Sequence, residues 1–97
     1  MTRLEVLAEA AWDLENAAFW YESQRLGLGG EFTDEARSLL KRNEESPLQF
    51  PIVYRDARRA LMSRFPFAVY FRLVEDRGLI LAVMDLRRKA SRWQTRV

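Results

Sequence analysis

The side chains with most chemistry to offer in this 97-residue chain are arginines: fourteen of its sixteen basic residues are Arg, with only Lys41 and Lys89 as Lys. A guanidinium is planar and grips a phosphate or a carboxylate at two points. GC-rich codon usage also raises arginine content, so placement tells more than number. Residues 51–97 hold eleven basic and four acidic side chains, a net of +7, while residues 1–50 hold five basic and ten acidic, a net of −5. The basic clusters are Arg58-Arg59, Arg64, and Arg87-Arg88-Lys89 with Arg92 and Trp93. Such segregation points the basic half at a polyanion or an acidic partner. In the tail, arginine on phosphate beside a stacking indole fits a nucleic-acid contact or a target-docking patch. The same residues also fit a Trp93 folded back onto the domain with its arginines in solvent. The two readings are compatible, since a packed Trp93 would hold Arg88 and Arg92 in place.

Several chemistries drop out. The chain has no cysteine and no histidine. That sets aside a disulfide framework, a zinc site, and a Ser-His-Asp or Cys-His nucleophile. No cofactor or metal is expected. Gly27-Leu28-Gly29-Gly30 lacks the Lys-Ser/Thr ending of a phosphate loop and reads as a turn between helices. No stretch approaches the ~20 apolar residues of a membrane span. No leader segment is visible, and a bacterial-type cytoplasm is the expected compartment.

The elements that must carry these residues follow from periodicity. Residues 3–7 alternate as a short strand. Ala10, Leu14, Ala17 and Tyr21 recur at helical spacing from Ala8 to about Leu26, with Ala11, Ala18 and Trp20 widening the stripe. A second helix is expected from about Gly30 to Glu45 on Phe32, Ala36, Leu39 and Leu40, ending at Pro47. Beyond Phe50-Pro51 the period falls to two, with strands expected at 58–63, 67–74 and 79–84. The last is apolar on both faces and therefore interior. Glu75-Asp76-Arg77-Gly78 reads as a hairpin turn with glycine at the positive-φ position. The fold class is α+β, in one domain over residues 1–97: an N-terminal strand and an antiparallel helical hairpin packed on one face of a twisted, mainly antiparallel sheet, in the order β-α-α-β-β-β. Trp20 and Tyr21 are expected in the core, and Trp12 or Phe19 on an exposed partner surface. Glu9, Asp13 and Glu15 are expected on solvated helix faces.

The chain resembles the RelE/ParE toxin superfamily over nearly its whole length. The resemblance rests on Ala10, Asp13-Leu14, Ala17, Trp20-Tyr21, Leu26-Gly27 and Phe32, then Phe50-Pro51. It continues through Arg59-Ala60-Leu61, Arg64-Phe65-Pro66-Phe67-Ala68-Val69-Tyr70-Phe71, Leu81-Ala82-Val83, Arg87-Arg88 and Trp93. It implies a ParE-like toxin of a type II toxin–antitoxin module, of the kind often labelled plasmid stabilisation. It also implies a cognate antitoxin encoded alongside, and the charge asymmetry adds an acidic segment in that partner.

One branch of the superfamily cleaves messenger RNA on the ribosome and the other poisons DNA gyrase. Cleavage through the 2′-hydroxyl needs a base, an acid and cations around the phosphorane. For a nuclease the candidates are Arg59, Arg64, Arg87 and Asp85, with Tyr54 and Tyr70 as possible proton donors. The family pattern commonly places His where this chain has Asp85, and an ion pair with Arg87 or Arg88 is the expected role of that carboxylate. Gyrase inhibition needs no acid–base pair and ranks first. A ribosome-dependent endoribonuclease is the alternative, and an antitoxin-binding module of weak or no toxicity is a third. The residues expected to meet target or nucleic acid are Arg58, Arg59, Arg64, Arg87, Arg88, Lys89, Arg92 and Trp93.

Overall fold

The computed structural model describes residues 2–97. In chain order its elements are β1 (Arg3–Val6), α1 (Ala8–Gln24), α2 (Leu28–Glu45), β2 (Ile52–Tyr54), β3 (Ala57–Leu61), β4 (Phe67–Val74), β5 (Arg77–Asp85) and α3 (Ser91–Gln94), with a short 3-10 turn at Pro47–Gln49. The strands form one sheet in the order β1-β5-β4-β3-β2. β1 runs parallel to β5 and the other pairs are antiparallel. A parallel neighbour needs a long connection, here the helical hairpin and three strands.

Alternation along β4 sorts its side chains onto two cores. Phe67, Val69 and Phe71 face the helices and pack with Phe32, Leu39, Ile80 and Val83. Around Phe32 the aromatic rings of Phe65 and Phe67 stand edge-on, with centroids at 5.1 and 5.0 Å, and Tyr21 stacks on it at 5.3 Å. Ala68 and Tyr70 face the other way, into a second core with Ala57, Leu81, Ala82 and Trp93. This double burial explains the unbroken apolar run of β5. The β4–β5 pairing steps from Tyr70 opposite Ala82 to Phe71 opposite Ile80. Leu81 is thus an extra residue, a β-bulge that turns both Leu81 and Ala82 towards the second core.

Four local expectations need correction. First, α2 begins at Leu28, so Gly29 and Gly30 are helical, and in this loop only Gly27 takes a positive φ, of 90°. The carboxylate of Glu22, from the end of α1, accepts the N–H groups of Gly27 and Gly29 at 2.9 Å each, so the start of α2 is capped from the preceding helix. Gly29 is needed for closeness: a Cβ there would lie 2.5 Å from the Ala18 carbonyl oxygen of α1. Gly29→Ala is therefore expected to destabilise by about 1–3 kcal/mol in urea denaturation. Gly30→Ala, with nothing near its would-be Cβ, is expected to leave stability unchanged or slightly raised.

Second, the β4–β5 turn puts Glu75, not Gly78, at positive φ (59°). Gly78 lies inside β5 because Leu4 of β1 crosses it, 2.9 Å from where a Cβ would stand. Third, β3 ends at Leu61, and two elements escaped the periodicity: the three-residue edge strand β2 and the four-residue α3. Fourth, Trp20 is not core. It is 55% exposed, with its ring edge-on to half-buried Tyr21.

Candidate functional site

Helix α1 carries a second apolar ridge flanking its core stripe. Ala10, Leu14, Ala17 and Tyr21 meet the core, while Trp12 and Trp20, eight residues apart, stand exposed beside that stripe with Asn16 between them. Steps of four keep Trp12, Asn16 and Trp20 on one ridge. Trp12 is 67% exposed, and Phe19 and Leu26 are also open to solvent. An exposed aromatic ridge on an otherwise polar surface marks an interaction site. The outer face of α2, with Asp34, Arg37, Ser38 and Lys41 exposed, shows the ordinary polar pattern.

Opposite this ridge, the end of β5 and the segment after it carry Asp85, Arg87, Arg88 and Arg92. The two walls enclose a groove of about 630 Å³, floored by Tyr21, Phe67 and Val83. Asp85 is held by Arg87 in a two-point pair, Nε to Oδ1 at 3.0 Å and Nη2 to Oδ2 at 2.6 Å, and it also accepts the Arg87 backbone N–H at 2.8 Å. These contacts, the guanidinium first, hold the Asp85 carboxyl below its ordinary value. Burial raises the Tyr21 hydroxyl, and the nearby Asp85 charge adds to that rise. The Asp85 contribution to stability is therefore present above the ordinary carboxylate range and is lost as pH falls through the lowered folded value. It is small, because Arg87 is well exposed and screened. Arg87→Ala is expected to return the Asp85 titration upwards towards a free carboxylate, as followed by carboxyl NMR. An unmoved titration would show that the pair does not hold in solution.

A second junction anchors this wall to α1. Arg96, from the C-terminal tail, donates through Nη1 to Asp13 Oδ2 at 2.6 Å and to the carbonyl of the bulge residue Leu81 at 3.1 Å. The same Asp13 oxygen accepts the Val83 N–H at 3.1 Å. β1 pairs with β5 only as far as Ile80, so these two side chains take up the β5 groups past the end of the ladder. The expectation that Asp13 lies on a solvated face is thus overturned. The signal was present: Ala10, Asp13 and Ala17 are three and four residues apart, which places Asp13 at the border of the buried stripe.

The residues singled out from sequence do not form one site. Arg58 donates to the Phe50 carbonyl at 2.7 Å and props the turn before β2. Arg64 pairs with Glu31 of α2, while Glu35 accepts the backbone N–H groups of Ser63 and Arg64. Together these tie the β3–β4 turn to the helical hairpin. Arg59 sits opposite Tyr70 in the β3–β4 register, on the face covered by the tail, and its buried Nε has no partner among the described residues. Trp93 is 5% exposed and stacks on Tyr70 at 3.9 Å and 13°, edge-on to Tyr54 at 5.8 Å. Its indole is therefore a packing residue, and the reading of Trp93 as an open stacking platform is corrected. Arg87, Arg88 and Arg92 share the groove. Arg88, Lys89 and Arg92 form no ion pair among the described residues. Part of the charge asymmetry is satisfied internally: Arg64, Arg77 and Arg96, from the basic half, pair with Glu31, Glu5 and Asp13 of the acidic half. No cluster of three or more acidic, histidine or cysteine side chains suited to a metal occurs among the described residues.

No protein-family model matches the chain, and no curated protein matches it. Among solved structures, a chain of the chromosomal ParDE TA system from P. aeruginosa superposes with a TM-score of 0.76, covering 88% of this chain and 96% of that one at 21% identity. At that identity the likeness is one of fold. The chain has a ParE-like α+β fold, as the resemblance implied. No helix among the described residues is long and apolar enough to cross a membrane.

Proposed function

We propose that this protein is the toxin component of a type II toxin–antitoxin module, acting in the cytoplasm by inhibiting DNA gyrase and neutralised by a cognate antitoxin. The fold likeness to a chain of a ParDE system supports the module. The observation that carries the choice of gyrase is the splitting of the nuclease candidates across the sheet. Arg59 shares the tail-covered face with Tyr70, whereas Arg64, Asp85 and Arg87 lie on the helix side, and both Asp85 and Arg64 are committed to ion pairs. Arg59, Arg64, Asp85 and Arg87 therefore do not gather an acid, a base and free cations around one phosphate. Binding and trapping another enzyme requires instead an exposed adhesive surface, which Trp12, Trp20 and the unpaired tail cations supply. An acidic antitoxin segment would cover those same cations, and the exposed edge of β2, at Ile52 and Val53, is open to extension by a partner strand.

A ribosome-dependent mRNA endoribonuclease is the second reading, favoured by the half-buried Arg59 beside Tyr70. Inducing the chain without its antitoxin in a bacterial host separates the two. Under the gyrase reading DNA synthesis stops first. Protein synthesis stopping first, with transcripts cut on ribosomes, overturns it.

A further inference from the structure

We infer that the groove between α1 and the segment after β5 holds a short single strand of DNA, with bases stacked on Trp12 and Trp20 and phosphates on Arg88 and Arg92. The choice of DNA over RNA rests on the gyrase reading; the fit of the groove to a single strand does not.

The inference starts from the spacing of the ridge. Eight helical residues separate Trp12 from Trp20, about 12 Å along the axis. Both indoles face the groove and expose more than half their surface. Asn16 lies between them on the same ridge, and its amide makes no hydrogen bond among the described residues. A base lying between the two indoles would thus find a donor and an acceptor at its edge. The opposite wall is cationic in effect as well as in composition. Asp85 is neutralised by Arg87, and on the α1 side Asp13 is neutralised by Arg96. Arg88 and Arg92 face the groove uncommitted. Stacking platforms opposite a row of free guanidinia are the features with which proteins hold single strands without sequence readout. A duplex does not fit this chemistry, because its bases are already stacked and offer no free face. An acidic amphipathic peptide is the competing occupant. The floor of Tyr21, Phe67 and Val83 would give it apolar contact, so the two occupants are told apart by the ridge: two exposed indoles two helical turns apart, opposite uncommitted guanidinia, match the base and phosphate of a single strand.

The test is a fluorescence titration of the full chain with a twelve-residue oligothymidylate at low salt, with oligouridylate and a polyglutamate peptide of equal length as further arms. Emission from Trp12 and Trp20 is expected to be quenched by the thymidylate, while the third tryptophan, Trp93, is buried away from it. Trp12→Ala and Trp20→Ala should each weaken binding by about tenfold. The double variant Arg88→Ala/Arg92→Ala should lower the slope of log K against log salt by about 1.4, at ~0.7 per lost phosphate contact. All these side chains are exposed, so circular dichroism should report a native fold in every variant. Absence of quenching overturns the inference. Polyglutamate, which meets only the cations, should bind without quenching; thymidylate binding left unchanged when Trp12 and Trp20 are both replaced by alanine also overturns the inference, since the cations alone would then be the contact. Tighter binding of oligouridylate overturns the choice of DNA. The assay contains no gyrase, so its failure and a failure of the gyrase reading are separate results.

Discussion

Asp13→Ala is expected to destabilise the fold by about 3–5 kcal/mol, the cost of removing one partner of a buried ion pair. Asp13 is nearly inaccessible and Arg96 largely so. The substitution would leave the Arg96 guanidinium enclosed without its counter-charge, since Glu9, at 3.5 Å, is mostly exposed and holds it only at the edge. It would also leave the Val83 N–H without an acceptor. A domain of this size has a total stability of about 5–15 kcal/mol, so the variant should stand near the limit of folding at physiological temperature. Urea denaturation measures the effect as a shift in midpoint with an unchanged slope. Asp13→Asn keeps an acceptor for Val83 and should lose less. In a double-mutant cycle, Asp13→Ala and Arg96→Ala should couple strongly, because each single change strands the other charge. A loss below about 1 kcal/mol for Asp13→Ala would show that the junction is a surface pair of no structural weight.

The second large effect is expected at Trp93. Trp93→Ala removes the stack on Tyr70 and the edge contact with Tyr54, a truncation that costs about 3–5 kcal/mol in a well-packed core. Here the loss should be local as well as global. α3 has only four residues, and Trp93 is its only buried one, so the tail should detach before the sheet unfolds. Amide exchange over residues 91–97 should accelerate. Tyr70, whose hydroxyl is raised by burial, should titrate closer to an ordinary tyrosine. Ultraviolet titration follows that change directly. Trp93→Phe should retain most of the protection. If Tyr70 titrates identically in Trp93→Ala and the parent chain, the tail is not what covers that face.

How far these features could be read from the sequence depended on how strongly each is periodic. The helical hairpin and strands β3 to β5 follow from apolar spacing, because burying one face fixes the period. β2 and α3 are too short to show a period, and α3 is held by one tryptophan rather than by a stripe. Gly29 and Gly30 mimic a helix breaker, yet Gly29 is present because α1 comes close, a constraint visible only once the two helices meet. Gly78 is the same case in a strand, taken for a turn residue when its role is to let Leu4 pass. At the site, the expected pairing of Asp85 with Arg87 came from adjacency in the chain. The junction of Asp13 with Arg96 did not, since 83 residues separate the partners. By spacing alone Trp20 widens the apolar stripe of α1 and reads as core. Only the geometry of α1 separates its inward Tyr21 from the outward Trp20.

The most direct measurement is a cleavage assay with purified chain, purified DNA gyrase and supercoiled plasmid. Gyrase inhibition predicts that supercoiling activity falls and that linear plasmid accumulates in proportion to added protein, with both effects abolished by prior binding of the antitoxin. Full supercoiling at excess protein, together with messenger RNA cut on purified ribosomes by the same preparation, would contradict it.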